Sequence, residues 1–449
     1  MRNSNEYAFN HILPGVSAVK IIPAAGADSP RKLQLNNIGT RIFTVMNTSY
    51  TTTVADRTFT SQIALEQHFD AVQLIYLNVE SSGFQIAEVS IGVSDGTDLV
   101  NPVAGSCIPV TFNGVTPTTA APITLPASTG TSADPDFYFS DMMKLSSIPR
   151  ADGGTLPLLN VRTYFPPTSG SATVATFTKT PAGSDAWGGA LTPGGRTWRN
   201  RRTTGNFATV TSGSVPNLTD SNDHLHSGIC GVRYLARGSV VGVMVIGDST
   251  RHGMASAAGV GVAVMGASAE LRACHAVSDI NSIAFQGAAC GYSAQTLSQY
   301  YTRAVRLIPL FKPDIVIFQA GSQNSASTTQ AGIDSSSYYT ALTQKLCKDN
   351  GSLCILTNEL ARNSADGVSY YTAGQDAFRQ AYNAELISRR NKGILVVDVA
   401  STISAGGSPA PNKIGYTESG NWTHPNDLGY DAMSIPIAAE LLRIKNANL

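Results

Sequence analysis

The side chains best able to do chemistry in this chain are a serine, a histidine and a few amides that recur at the ends of apolar runs. Ser249 closes the triplet Gly247-Asp248-Ser249, directly after Val240-Val241-Gly242-Val243-Met244-Val245-Ile246. A hydroxyl lifted out of a sheet on such a turn can attack a carbonyl, provided a base takes its proton and fixed donors receive the developing charge. His424, in Asn421-Trp422-Thr423-His424-Pro425, is the candidate base. Candidate oxyanion donors are the N–H of Gly291 and the side-chain amides of Gln323 and Asn324, in Gly321-Ser322-Gln323-Asn324. Each fragment also has a plainer reading. Gly-Asp-Ser suits an ordinary turn or a helix N-cap, His-Pro a helix start, and either glycine a turn. Their order, at successive strand ends followed by a terminal histidine loop, favours the chemical reading.

For these groups to meet, the surrounding elements must share one sheet edge. From about residue 236, apolar runs at 240–246, 281–286, 314–319, 353–358 and 394–399 predict buried strands. Helical patterns cover Gln295 to Leu310, Ser335 to Lys348 and Gln375 to Arg390, and Asp427 to Lys445 closes the chain. This alternation predicts five parallel strands with helices on both faces, and loops bearing Ser249, Gly291, Gln323 and His424 on the carboxyl edge. Residues 1–235 follow another grammar. Period-two alternation at 71–77, 85–93, 159–165 and 172–177, broken by Gly, Pro, Ser and Thr, predicts an antiparallel sandwich. The expected organisation is a β-rich accessory domain, sandwich- or jelly-roll-like, over 1–235 and an α/β domain over 236–449. Residues 1 to about 60 fit no pattern.

The carboxyl-terminal part resembles the SGNH, or GDSL, hydrolase family. Gly247-Asp248-Ser249 matches its first block and Gly291 the glycine of its second. Gly321-Ser322-Gln323-Asn324 loosely matches the third, Gly-x-Asn-Asp. Asn421-Trp422-Thr423-His424-Pro425 matches Asp-x-x-His-Pro, with Asn421 in the acid position. The resemblance covers roughly residues 236–449. It implies a three-layer α/β/α, flavodoxin-like fold with five parallel strands and an acyl-serine mechanism without metal or cofactor. Ser249 would be the nucleophile and His424 the base. The N–H groups of Ser249 and Gly291, with Asn324 or Gln323, would form the oxyanion hole.

Two departures from the family pattern keep alternatives open. Gln323 stands where the family has asparagine, and Asn324 follows one residue later; the shorter amide is held more rigidly, which favours Asn324. An amide at 421 cannot stabilise imidazolium as a carboxylate does. His424 is therefore oriented by Asn421, by Glu418, or by a backbone carbonyl such as that of Trp422. The last makes a Ser-His dyad and is preferred, since some members look acid-free. The segment from Phe69 to about Phe177 resembles the β-domain that precedes the catalytic domain in some bacterial and phage members. The residues that carry this are Phe69-Asp70-Ala71-Val72-Gln73-Leu74, Ser140-Asp141 and Ile148-Pro149-Arg150-Ala151-Asp152. Asp141, Arg150 and Asp152 read as turn-stabilising residues, with contacts to substrate as the alternative.

Composition narrows the function further. Lys+Arg and Asp+Glu number 31 each, a formal net charge of zero that argues against a nucleic-acid binder. Only 14% of residues are charged, which suits a β-rich secreted, cell-surface or virion-associated protein. The amino terminus lacks the apolar core of a secretory signal, and no run approaches the ~20 apolar residues of a bilayer span. A soluble protein without a membrane span is expected. Six cysteines lack metal-ligand spacing and read as free thiols, although Cys347 and Cys354 flank a turn. His252 can line the site or face solvent, while His224 and His226 read as structural or solvated. Arg196, Arg199, Arg201 and Arg202 around Trp198 read as a solvated face, with a grip on an anionic sugar polymer as the sharper option. The expected function is a serine esterase acting on small acyl, chiefly acetyl, esters of a carbohydrate. Two readings stay beside it. One is a lipase or thioesterase on longer acyl chains, the other a carbohydrate-binding or virion structural protein with a weakened hydrolase site.

Overall fold

Apolar runs in the carboxyl-terminal half become strands because each divides its side chains between two covered faces. Val241 and Val243 join one core with Ile283, Phe285, Ile315 and Ile317. Met244 and Ile246 join the opposite core with Val316, Phe318 and Leu356. Period-two alternation with both faces apolar belongs to a sheet covered on both sides. Each such side chain gains roughly 1.5–3 kcal/mol from full burial.

The computed structural model describes residues 33–448 except 34, 43–51, 54, 79–82, 95–101, 104, 128–135, 146–157, 170, 173–197, 212–228, 254–267, 292–294, 323, 325–328 and 418–421. Its main sheet has nine strands. Five run parallel: β1 (Ile229–Ile246), β2 (Ile283–Ala289), β3 (Ile315–Gln319), β4 (Leu353–Thr357) and β5 (Leu395–Val397). Their spatial order is β2-β1-β3-β4-β5. The helices are α1 (Ser249–His252), α2 (Ala269–Val277), α3 (Leu297–Phe311), α4 (Gln330–Asp349), α5 (Ala373–Ser388), α6 (Ala400–Ile403) and α7 (Asp427–Asn446). Residues of α2, α6 and α7 pack in the core containing Val241 and Val243, and residues of α3, α4 and α5 in the core containing Met244 and Ile246. On α3, Leu297, Tyr300, Ala304, Leu307, Ile308 and Phe311 are buried, the three-to-four spacing of an amphipathic helix.

The nine strands exceed the five expected, and the reason lies in β1. Its first half, Ile229–Ala236, pairs antiparallel with Phe69–Asn78, and Asn36–Ile42 also pairs antiparallel with it. Its second half, from Ser239, pairs parallel with β2 and then β3. Register shifts between Leu235 and Ala236, and opposite Asn36 and Ile38, let one strand change partners. Arg237-Gly238 interrupts the apolar run at that point, so the sequence pattern starts the strand only at 240. The expected boundary at 235/236 thus falls inside a continuous strand. Asn36–Ile42 also gives a place in the main sheet to part of a segment without a readable pattern.

A second sheet, antiparallel, is ordered Trp198–Thr204, Arg57–Ala64, Leu158–Phe165, Glu88–Ser94, Ile108–Pro109. Its Phe59, Ile63, Val89, Ile91, Leu159 and Val161 pack with Phe69, Val72, Leu74, Val232 and Tyr234 of the antiparallel part of the main sheet. The expected strand 85–93 divides at Ala87, and its pieces Phe84–Ile86 and Glu88–Ser94 pair with different partners. The six cysteines are free thiols. Among the described residues, no helix is long and apolar enough to cross a membrane.

Candidate active site

Ser249 stands at the carboxyl end of β1 as the first residue of α1. Asp248 is the N-cap, and its Oδ1 accepts hydrogen bonds from the Thr250 N–H at 2.9 Å and the Thr250 hydroxyl at 2.6 Å. The cap satisfies orphan donors of the first turn and sets its direction. Gly247 is required by close approach. A Cβ there would lie 2.4 Å from Arg251 Cγ and 2.5 Å from Gln319 Oε1.

Gln319, the last residue of β3, holds this turn from below. Its Oε1 accepts from the Asp248 N–H at 3.0 Å, and its Nε2 donates to Asp248 Oδ2 at 2.9 Å. Behind the turn, Arg251 Nη1 meets Glu270 Oε1 at 2.9 Å, with side chains 1% and 0% exposed. Both were missed from sequence. The available signal for Gln319 was a polar residue ending the apolar run Ile315-Val316-Ile317-Phe318.

His424 reaches the serine from the loop before α7. The Ser249 hydroxyl and His424 Nε2 are 2.8 Å apart across 175 positions of sequence, and both residues are buried. The loop is pinned on each side of the ring. Thr417 bridges Pro425, and Asn426 caps α7 by accepting from the Gly429 N–H. Asn426 Nδ2 donates to the carbonyls of Gly415 at 2.8 Å and Thr417 at 3.1 Å. Trp422 adopts φ 56°, a left-handed conformation unusual for a bulky residue and characteristic of functional turns. Glu418 and Asn421, two of the groups weighed for orienting the ring, lie outside the described residues.

The oxyanion candidates divide. Neither the Ser249 nor the Gly291 N–H donates to a carbonyl among the described residues, and the preceding Cys290 N–H is bound to Val245 O at 2.8 Å. Asn324 is exposed, and its Nδ2 donates to the Gln295 carbonyl at 3.4 Å. The same carbonyl accepts from Ser322 Oγ at 3.0 Å, and Ser322 Oγ accepts from the Asn324 N–H at 3.1 Å. Gln323 lies outside the described residues. Gly321 is again a matter of space, since a Cβ there would sit 2.6 Å from the buried Glu359 carboxylate. Burial, and then the Asp248 charge, push the Tyr300 phenol well above its ordinary value.

Other expectations fall away from this cluster or outside view. Asp141 holds a turn, accepting from Thr111 Oγ1 at 2.5 Å, Gly114 N at 2.8 Å and Asn113 N at 3.1 Å. Hydrogen bonding, first from Thr111, lowers its pKa. Trp198–Thr204 pairs along Arg57–Ala64, which positions the backbone of Arg199, Arg201 and Arg202. His252 ends α1. Arg150, Asp152, Arg196, His224 and His226 lie outside the described residues. Among the described residues, no group of three His, Cys, Asp or Glu side chains is placed to hold a metal ion.

Solved structures similar to this chain include GDSL-type proteins and acetylxylan esterases. A GDSL-like lipase from Bacteroides thetaiotaomicron is 21% identical, covering 46% of this chain and 88% of that one at a TM-score of 0.32. A member of the lipolytic G-D-S-L family from Veillonella parvula is 16% identical, with coverages of 44% and 96% and a TM-score of 0.31. A catalytic mutant of an acetylxylan esterase from Geobacillus stearothermophilus is 14% identical, with coverages of 44% and 93% and a TM-score of 0.31. No family profile and no curated protein sequence matches the chain.

Proposed function

We propose that this protein is a serine esterase that removes small acyl groups, acetyl foremost, from a carbohydrate. The observation that carries the reading is the 2.8 Å approach of the Ser249 hydroxyl to His424 Nε2. That distance lies within the range a general base needs to take the serine proton as attack begins. In the proposed cycle, Ser249 Oγ adds to the ester carbonyl and His424 holds the released proton. The tetrahedral oxyanion is received by the N–H groups of Ser249 and Gly291 and by the side chain of Asn324 or Gln323. Collapse expels the sugar alcohol, which takes the proton from His424. Water then adds to the acyl-serine by the same route and frees the acid. The ring is oriented by Asn421, Glu418 or the Trp422 carbonyl.

Ser249 and His424 are 6% and 7% exposed, so the reacting pair is largely screened from solvent. A short acyl group would leave most recognition to the alcohol side of the ester. Residues 236–449 are proposed as the catalytic domain, and residues 1–235 as an accessory β domain joined to it through β1.

The test is covalent labelling by a fluorophosphonate together with hydrolysis of p-nitrophenyl acetate. Both are expected in the native chain, and both should disappear in Ser249→Ala. A native chain that neither labels nor turns over would refute the esterase. A p-nitrophenyl ester series with its maximum at long acyl chains would refute the small-acyl substrate.

A further inference from the structure

Helix α3 carries a charge on the face it turns inward. Tyr300, Arg303, Ala304, Leu307 and Ile308 are buried together, and the three-to-four spacing would put an apolar residue at 303. Arg303 is 3% exposed instead. Taking a guanidinium out of water is costly unless it is paired or hydrogen-bonded. Arg303 Nη1 donates to the carbonyl of Cys290 at 3.3 Å.

That carbonyl and the Gly291 N–H belong to one peptide group, which is trans. A planar trans peptide points its C=O and its N–H in opposite directions. Holding the Cys290 carbonyl therefore turns the Gly291 N–H away from the guanidinium. Sheet register sets the same peptide beside the nucleophile. Ala289 of β2 pairs with Val245 of β1, and the Cys290 N–H extends this ladder to Val245 O at 2.8 Å. Two residues beyond the pair lie Gly291 on one strand and Gly247 on the other, and Gly247 leads into Asp248-Ser249. The arginine is itself firmly placed, because a capping box between Thr296 and Gln299 fixes the start of α3. Its charge reaches the peptide: burial pushes the Cys290 thiol up to about 12, and Arg303 partly offsets the rise.

We infer that Arg303 is a positioning residue of the oxyanion hole, which aims the Gly291 N–H at the reacting carbonyl by gripping the Cys290 carbonyl of the same peptide. This deepens the esterase reading and rests on it for the part that Gly291 plays. A hydrogen bond accepted by a peptide carbonyl polarises the N–H of that unit, and a charged donor is the stronger kind. Arg303 thus makes Gly291 a better donor as well as a better aimed one. The donor is fixed before substrate arrives, which is what stabilising a charge that develops only in the transition state requires.

Kinetics and inhibition of the full chain carrying Arg303→Met or Arg303→Lys test the inference. Losing an oxyanion donor outright costs about 100- to 1,000-fold in kcat, so Arg303→Met, which keeps the donor but loosens its aim, should cost about 10- to 100-fold. KM for p-nitrophenyl acetate should stay near its native value. The inhibition constant of a trifluoromethyl ketone, which adds to the serine as a tetrahedral oxyanion, should rise by the same factor as kcat falls. Arg303→Lys keeps the charge and should recover part of both, and it carries the test should Arg303→Met fail to fold. An arginine that serves folding alone would lower the urea midpoint but leave kcat and inhibitor affinity of the folded chain unchanged, and that result would overturn the proposal. A second readout needs no turnover. Isotope labels on cysteine carbonyls and glycine nitrogens meet at two peptide links in this sequence, Cys230–Gly231 and Cys290–Gly291. In either variant the magnetic resonance signal of Cys290–Gly291 should move while that of Cys230–Gly231 stays, and a fixed Cys290–Gly291 signal would also overturn the proposal. An active chain whose variants keep native kinetics refutes only the role of Arg303. A native chain that neither labels at Ser249 nor turns over refutes the esterase, and the peptide signal still decides whether Arg303 holds Gly291.

Discussion

Replacing Gln319 by methionine tests whether the nucleophile turn is held by the end of β3. The amide makes two buried hydrogen bonds to Asp248, one to its N–H and one to its carboxylate. A neutral bond of this kind contributes about 0.5–1.5 kcal/mol and one to a charged group about 1.5–3 kcal/mol. Methionine fills a similar volume but satisfies neither partner, so a stability loss of about 2–4 kcal/mol is expected. The same change frees the turn that aims Ser249 at His424, and a displacement of about 1 Å costs on the order of 100-fold in rate. The loss should appear in kcat rather than KM, because Gln319 sits behind the turn rather than facing substrate. The assay combines urea unfolding with p-nitrophenyl acetate kinetics and the fluorophosphonate labelling rate, all well below the melting temperature. A Gln319→Met protein with the native urea midpoint and native labelling rate would refute the account.

Three further outcomes are expected. Asn324→Ala and Gln323→Ala should separate the oxyanion candidates: the true donor loses roughly 2.7–4 kcal/mol of transition-state stabilisation, seen as a fall of 100-fold or more in kcat, and equal mild losses would exclude both. Glu270→Met should destabilise the chain by about 3–5 kcal/mol, because it strands the Arg251 charge in the interior; the Arg251→Met/Glu270→Met double variant should recover most of that in urea unfolding. Asp314 supplies the pH prediction. Burial, partly offset by its bond from the Gly242 N–H, raises its carboxyl from 3.8 to about 6. The folded state therefore holds the proton more tightly than the unfolded state. Its contribution to stability is full below about pH 4 and is lost as pH rises through about 6, a swing on the order of 3 kcal/mol. Asp314→Asn should remove that swing, read as urea midpoints that no longer fall between pH 4 and 7.

Much of this molecule is legible locally. The alternation of Val241, Val243, Met244 and Ile246 between two cores follows from strand periodicity, and the three-to-four spacing of buried residues on α3 follows from helix periodicity. The turn at Gly247-Asp248-Ser249 was readable for the same reason, since a glycine without space for a Cβ and an N-capping aspartate are local requirements. Tertiary structure alone decided what depends on pairing distant segments. The pairing of Ser249 with His424 was expected from the order of the motifs, but its 2.8 Å distance across 175 positions came only with the fold, as did Gln319 reaching Asp248 across 71 and Arg41 Nη1 reaching the carbonyl of Gly287 across 246. The same holds for β1, whose first half takes antiparallel partners and whose second half takes parallel ones. Periodicity fixes which face of an element seeks cover, because that depends on neighbouring side chains. Which element supplies the cover, and which buried amide or carboxylate then finds a partner, depends on contacts between residues far apart in the chain.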